Sequence, residues 1–165
     1  MLKVGLPAKQ LKDSAARRKD LLKAYDKAVK DRNILRKLPE WHEEVFSEVD
    51  CLECAGCCKN ISPRFKKPDL QRIARHLGLK ESLLIERYLR LDEDGDYVVQ
   101  KSPCPFLGEG NKCDVYEVRP GDCRKYPHTD SGDFFKYPRT AKLNLDICPA
   151  VFKIMERIQK EIGRG

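Results

Sequence analysis

Apolar residues recur at helical spacing near the start of the chain. Between Lys9 and Leu38, a stretch with neither Pro nor Gly, Leu21, Ala24 and Ala28 run beside Leu22, Tyr25 and Val29, with charges elsewhere. That period predicts one long amphipathic helix. Asp13 with Arg17 and Asp26 with Lys30 place an acid four residues before a base, which supports its solvated face. Pro39 lacks a backbone donor and is expected to break the helix. The segment from Pro39 to Phe46 then reads as a short second helix with proline in its first turn. Behind Asp69, the stripe Leu70, Ile73, Ala74, Leu77 predicts a helix stopped by Gly78. Another helix follows over Glu81 to Leu89. Two short helices around a Gly turn could pass for a helix-turn-helix, but balanced charge there favours a plain helical hairpin.

Further on, Asp94-Gly95-Asp96 predicts a turn before a short strand at Tyr97 to Gln100. Cys104 and Cys113 fall on the two arms of a hairpin around Gly108 to Asn111, and a short turn or helical element follows Arg119. The stripe Ala150, Val151, Ile154, Met155, Ile158, Ile162 predicts a terminal helix closing at Gly163. No internal repeat or low-complexity stretch interrupts this order. The expected class is α+β and mostly helical: a small, irregular, metal-stapled domain with a short β-hairpin and an N-terminal helical extension.

Composition changes the picture in two ways. The chain has 165 residues, 36% charged, with a mean hydropathy of −0.62, so its core is modest for about one domain's length. The net charge of +7 is also unevenly placed: residues 1–37 carry 12 Lys/Arg against 4 acids, and the remainder 21 against 22. The basicity belongs to the extension, which gives an expected division into a basic amphipathic extension, 1–48, and a cysteine domain, 49–165. No apolar run approaches the roughly 20 residues of a membrane span. The start, Met-Leu-Lys-Val-Gly-Leu-Pro-Ala-Lys-Gln, turns polar at once and does not read as a signal peptide. A cytosolic chain without a membrane partner is expected.

Eight cysteines dominate the candidate chemistry, four of them in the run Cys51-Leu-Glu-Cys54-Ala-Gly-Cys57-Cys58. In a reducing compartment such a set points to metal binding rather than to a disulfide framework. Cys51-x2-Cys54-x2-Cys57 can wrap three thiolates round one centre, and a remote Cys followed by Pro is the usual fourth ligand of a bacterial cubane cluster. Cys148-Pro149 supplies that pair. Cys58 follows Cys57 directly and cannot easily reach the same centre in regular backbone, so it either serves a second centre or is a spare. The economical partition therefore gives Cys51, Cys54, Cys57 and Cys148 to one centre and Cys58, Cys104, Cys113 and Cys123 to another. An ordinary zinc ribbon needs two Cys-x2-Cys knuckles and is not supported. The radical-SAM spacing Cys-x3-Cys-x2-Cys does not match, and no Gly-x-Gly-x-x-Gly follows a strand. Iron–sulfur, of the 4Fe-4S type, is favoured over zinc.

Arg119 and Arg124 flank Cys123 and are candidates to place positive charge beside the thiolates, against the alternative of solvated surface arginines. Tyr116 and Tyr126 more readily pack than donate to sulfur. His128, His42 and His76 are weak ligand candidates beside eight thiols, and Trp41 with Phe46 reads as core.

These motifs, with Pro103-Cys-Pro-Phe-Leu, Cys113-Asp-Val-Tyr and Arg119-Pro-x2-Cys123-Arg-x-Tyr-Pro, resemble the YkgJ-type cysteine-cluster family. That family is also described as a zinc- or iron-chelating domain and is related to the cysteine cluster of flagellin lysine N-methylases. The resemblance runs from about Cys51 to Cys148, takes in all eight cysteines, and implies metal binding; it leaves modification-type or redox chemistry open. The alternative is a zinc-stapled interaction module whose basic helix docks on nucleic acid or an acidic protein; a solvated face folded against the domain is favoured over nucleic-acid binding, since aromatic interleaving is almost absent. A thiol redox protein using Cys54-x2-Cys57 is least favoured. No carboxylate pair, nucleophile–base set or phosphate loop stands out, so no catalytic residue is named.

Overall fold

The computed structural model describes residues 14–164. In chain order the elements are α1 (Ser14–Ala28), α2 (Arg32–Glu48), α3 (Cys51–Cys54), α4 (Gly56–Asn60), α5 (Lys67–His76), α6 (Glu81–Tyr88), β1 (Leu89–Leu91), β2 (Tyr97–Val99), α7 (Gly121–Lys125), α8 (Asp133–Lys136), α9 (Pro138–Asn144) and α10 (Pro149–Ile162). They fall into two compact units. Among the described residues, one joins those up to Asp50 to those from Pro127 onward, and the other is Cys51–Tyr126. The architecture is the expected mostly helical α+β, with one small antiparallel hairpin.

The first unit is a helical assembly. Leu21, Ala24, Tyr25 and Ala28 of α1 and Ile34, Leu38 and Val45 of α2 are buried together with Phe134, Ala141 and the α10 stripe Ala150, Val151, Ile154, Met155, Ile158. The five buried positions of α10 pack with the stripes of α1 and α2. An apolar face that wide needs an equally wide partner, and those two helices offer it. Ion pairs reinforce the assembly: Arg17 with Glu156, Arg18 with Asp146, Lys37 with Glu161, Lys153 with Glu48 and Arg157 with Glu44.

The expected single helix to Leu38 is two helices. Asp31 ends the first and caps the second, its carboxylate accepting from Asn33 N at 2.8 Å and Ile34 N at 3.2 Å. Capping satisfies otherwise orphaned amides and outweighs the continuity of the stripe. Pro39, expected to break the chain, lies inside α2, where the buried Leu38 and Val45 anchor the helix around it. The expected helix start at Lys9 and the Asp13–Arg17 pair lie outside the described residues. Asp26 pairs with Lys142 Nζ of α9 at 2.8 Å, a partner no local pattern could supply.

The second unit holds a separate core of Phe65, Leu70, Ile73, Ala74, Leu84, Leu89, Val99, Phe106 and Val115. The α5–α6 hairpin turns at Gly78, whose φ of +65° is the left-handed stop expected of it. Strands β1 and β2 pair antiparallel, Leu89 opposite Val99 and Leu91 opposite Tyr97, and Phe65 bridges Tyr97 on the other side. The expected hairpin between Cys104 and Cys113 is reduced to one bridge, Leu107 with Cys113, around a 3-10 turn at Glu109–Asn111. Among the described residues no helix is long and apolar enough to cross a membrane.

Candidate metal centre

Two single-turn helices present the cysteine run. Cys51 and Cys54 sit on α3, while Cys57 and Cys58 sit on α4. Between them Ala55 adopts φ +45°, ψ +24°, a left-handed conformation that costs a residue with a Cβ about 1 kcal/mol. The reversal lets α4 start on a new axis one residue after α3 ends. Surrounding groups hold it there: Asn60 Nδ2 donates to Gly56 O at 2.8 Å, Lys59 Nζ to Cys54 O at 3.3 Å, and Asn111 Nδ2 to Glu53 O at 3.1 Å. Cys104 N donates to Cys58 O at 2.8 Å, and Ser102 Oγ to Lys59 O at 2.7 Å, which fasten the Cys104 segment to α4.

The thiols of Cys57 and Cys58 lie 3.9 Å apart, sulfur to sulfur. Two thiolates at about 2.3 Å from one tetrahedral ion would be about 3.8 Å apart. The expectation that adjacency keeps Cys58 from the centre served by Cys57 is therefore not imposed by this backbone. Around Cys58 three more thiols lie within electrostatic reach. Burial pushes the Cys104 thiol up to about 11, with the charges of Cys58 and Cys113 adding to it. Burial raises Cys113 as well, helped by Cys58 and Asp114 and opposed by Arg119. Cys123 is pushed up to about 12, first by burial and then by Cys58, Cys104, Cys113 and Asp122. Cys58 itself is drawn down to about 7, chiefly by the hydrogen bond from Cys57, then by a backbone hydrogen bond and the charge of Lys59, against burial.

Three of these thiols are thus held protonated, mainly by burial, beside a Cys58 that ionises more readily, and a bound cation would favour the thiolate form of all four. Among the described residues no three thiol, imidazole or carboxylate groups are already drawn close enough to hold an ion. The donor chemistry fits soft ions and iron–sulfur clusters, and binding itself can close such a set, since ligand deprotonation and ordering are coupled to metal uptake.

The other sequence candidates scatter. Cys51, an exposed residue, and Cys54 stand on α3 in the same unit. Cys148 belongs to the first unit, where it precedes α10 and packs partly against that core, its amide donating to Asn144 O at 2.8 Å. Arg119 stacks on Tyr116 at 4.0 Å and donates to Tyr116 O, with its charge felt at Cys113. Arg124 donates to Glu117 O and Arg119 O, so it braces the backbone before Cys123. His76 contacts Asp114 O, His42 contacts Thr129 Oγ1, and the His128 ring meets that of Tyr137 at a tilt. Trp41 and Phe46 pack on the first unit's core, as expected. Sequence reasoning missed Lys59, whose charge helps to lower the Cys58 thiol; its adjacency to Cys58 was the signal.

A helical scaffold that gathers clustered thiols on short turns defines a thiolate metal-binding module. The comparisons agree with that class. The model of the CxxCxxCC family, described as "Putative zinc- or iron-chelating domain", matches residues 50–148, and the chain belongs to that family. The chain is also similar to uncharacterized protein MJ0661 of Methanocaldococcus jannaschii, 33% identical over 82 residues. That match covers 48% of this chain and 44% of the relative, so the chain spans less than half the relative's length. No solved structure matches the chain at a significant level.

Proposed function

We propose that the second unit is a metal-holding module with one centre on Cys58, Cys104, Cys113 and Cys123. What supports it is that Cys104 N donates to Cys58 O at 2.8 Å and Leu107 bridges Cys113, joining those segments to α4, with the charges of Cys58, Cys104 and Cys113 all bearing on the Cys123 thiol of α7. Cys51, Cys54 and Cys57 form the second ligand set in this reading, on the strength of the Cys-x2-Cys-x2-Cys spacing. That spacing favours an iron–sulfur cluster at the second set, while the first set would take zinc or iron as a tetrathiolate. The metal's part is to neutralise and cross-link thiolates; the protein's own residues deliver them from four elements and brace the turns between.

Anaerobic purification followed by metal and sulfide determination tests the reading. Brown protein with iron and acid-labile sulfide supports the cluster, and colourless protein with zinc alone removes it. Cys58→Ser and Cys123→Ser should each lower metal content; unchanged content in both would overturn the four-thiol centre. Within the basic segment, Arg17, Arg18 and Lys37 are engaged with Glu156, Asp146 and Glu161.

A further inference from the structure

Asp69 is buried on the first turn of α5, yet it carries a charge. Its carboxylate accepts from three directions: Lys66 N at 3.0 Å, Arg72 Nη2 at 2.7 Å and Gly121 N at 3.2 Å. Arg72 in turn donates through Nε to Val118 O at 3.2 Å and through Nη2 to Arg119 O at 2.9 Å. The pair on α5 thus holds both faces of the Val118–Gly121 backbone, two carbonyls by the guanidinium and one amide by the carboxylate. That backbone belongs to no strand, and it leads directly into α7, where Cys123 follows Gly121 by two residues.

An ion pair with a buried carboxylate is an expensive way to stabilise a core, since apolar residues of similar volume often do as well or better. Its value lies in direction. A guanidinium fork and a carboxylate fix angles as well as distance, which an apolar contact does not. The sequence between Cys113 and Cys123 has no regular ladder to set the spacing of the two thiols, and this clamp supplies it from α5. Within α7, Asp122 accepts from Arg64 Nε at 2.9 Å.

We infer that Asp69 and Arg72 are positioning residues for the metal centre, setting the place of the Cys123 thiol through the Val118–Gly121 turn. The inference rests on the four-thiol reading above. Loss of an outer partner of a metal ligand typically weakens metal binding about 10- to 100-fold, and the same range is expected here.

The test is a double-mutant cycle on the full chain, reduced and metal-free, titrated with Co2+ against a competing chelator. Thiolate-to-cobalt absorption and far-UV circular dichroism are recorded together. Asp69→Asn should weaken Co2+ binding about 10- to 100-fold and reduce the thiolate absorption, with the helical signal retained. In a Cys123→Ser background the same substitution should cost little further affinity, because the thiol it positions is gone. Equal losses in both backgrounds would show a general structural role and overturn the inference. A Cys123→Ser protein that binds Co2+ as well as the parent would overturn the four-thiol reading, and this inference with it. Arg72→Gln, on a partly exposed side chain, repeats the cycle should Asp69→Asn not fold; absence of a Cys123-dependent loss there overturns the inference equally.

Discussion

The Tyr25 hydroxyl donates to the Phe134 carbonyl oxygen at 2.8 Å, from a ring that is wholly buried and meets the Phe134 ring edge-on. Burial, with a smaller push from Asp26, raises this phenol from 10.0 to about 12. The folded protein therefore keeps a proton that the unfolded chain releases above pH 10. The associated stability, on the order of 2–3 kcal/mol, is whole below pH 10 and is lost as pH rises toward 12. Phenolate absorbance should show one tyrosine titrating late, and Tyr25→Phe should delete that phase. A late phase that survives the substitution would assign it elsewhere.

Asp31 starts α2 by accepting from two of its first amides. Asp31→Ala should lower stability by about 1 kcal/mol. Chemical denaturation measures it, with Asp31→Asn expected to recover most of the loss. Equal destabilisation by Ala and Asn would point to charge rather than to the cap.

Ala55 pays a conformational cost at φ +45° between the two cysteine turns. Ala55→Gly should be tolerated, with stability changed by no more than about 1 kcal/mol and metal content retained. Ala55→Val should disrupt α3 and α4 and lower metal content. Elemental analysis of the two variants side by side decides the point.

Metal removal should loosen the two units unequally. The second has the smaller apolar core and would lean on its ligands, whereas the first is closed by α1, α2 and α10. Chelator treatment should accelerate hydrogen exchange in residues 51–126 and leave the amides of α10 protected. Uniform acceleration across both would remove the metal's role as a local staple.

The sequence made some of this legible and hid the rest for identifiable reasons. The α5–α6 hairpin and α10 were readable because their stripes end at Gly78 and Gly163, residues with strong local meaning. The break at Asp31 was missed because Pro39 is the louder signal, although a capped amide pair decided the outcome. Strand β1 was hidden at the end of a helical stripe, since Leu89 serves both as the cap of α6 and as the partner of Val99. The thiols themselves were legible as ligands from spacing. The clamp from Asp69 and Arg72 was not, because its partners lie about 50 residues away and are backbone atoms, which leave no imprint on side-chain pattern.

The first unit is discontinuous in sequence, with the cysteine unit lying between its two parts. On the ribosome the apolar stripes of α1 and α2 emerge well before α10, the helix that covers them. The residues Cys51 to Cys123 are synthesised in that interval. Metal acquisition can thus precede completion of the enclosing unit, and a chain stalled before α10 would expose a sticky helical face whether or not its thiols were filled.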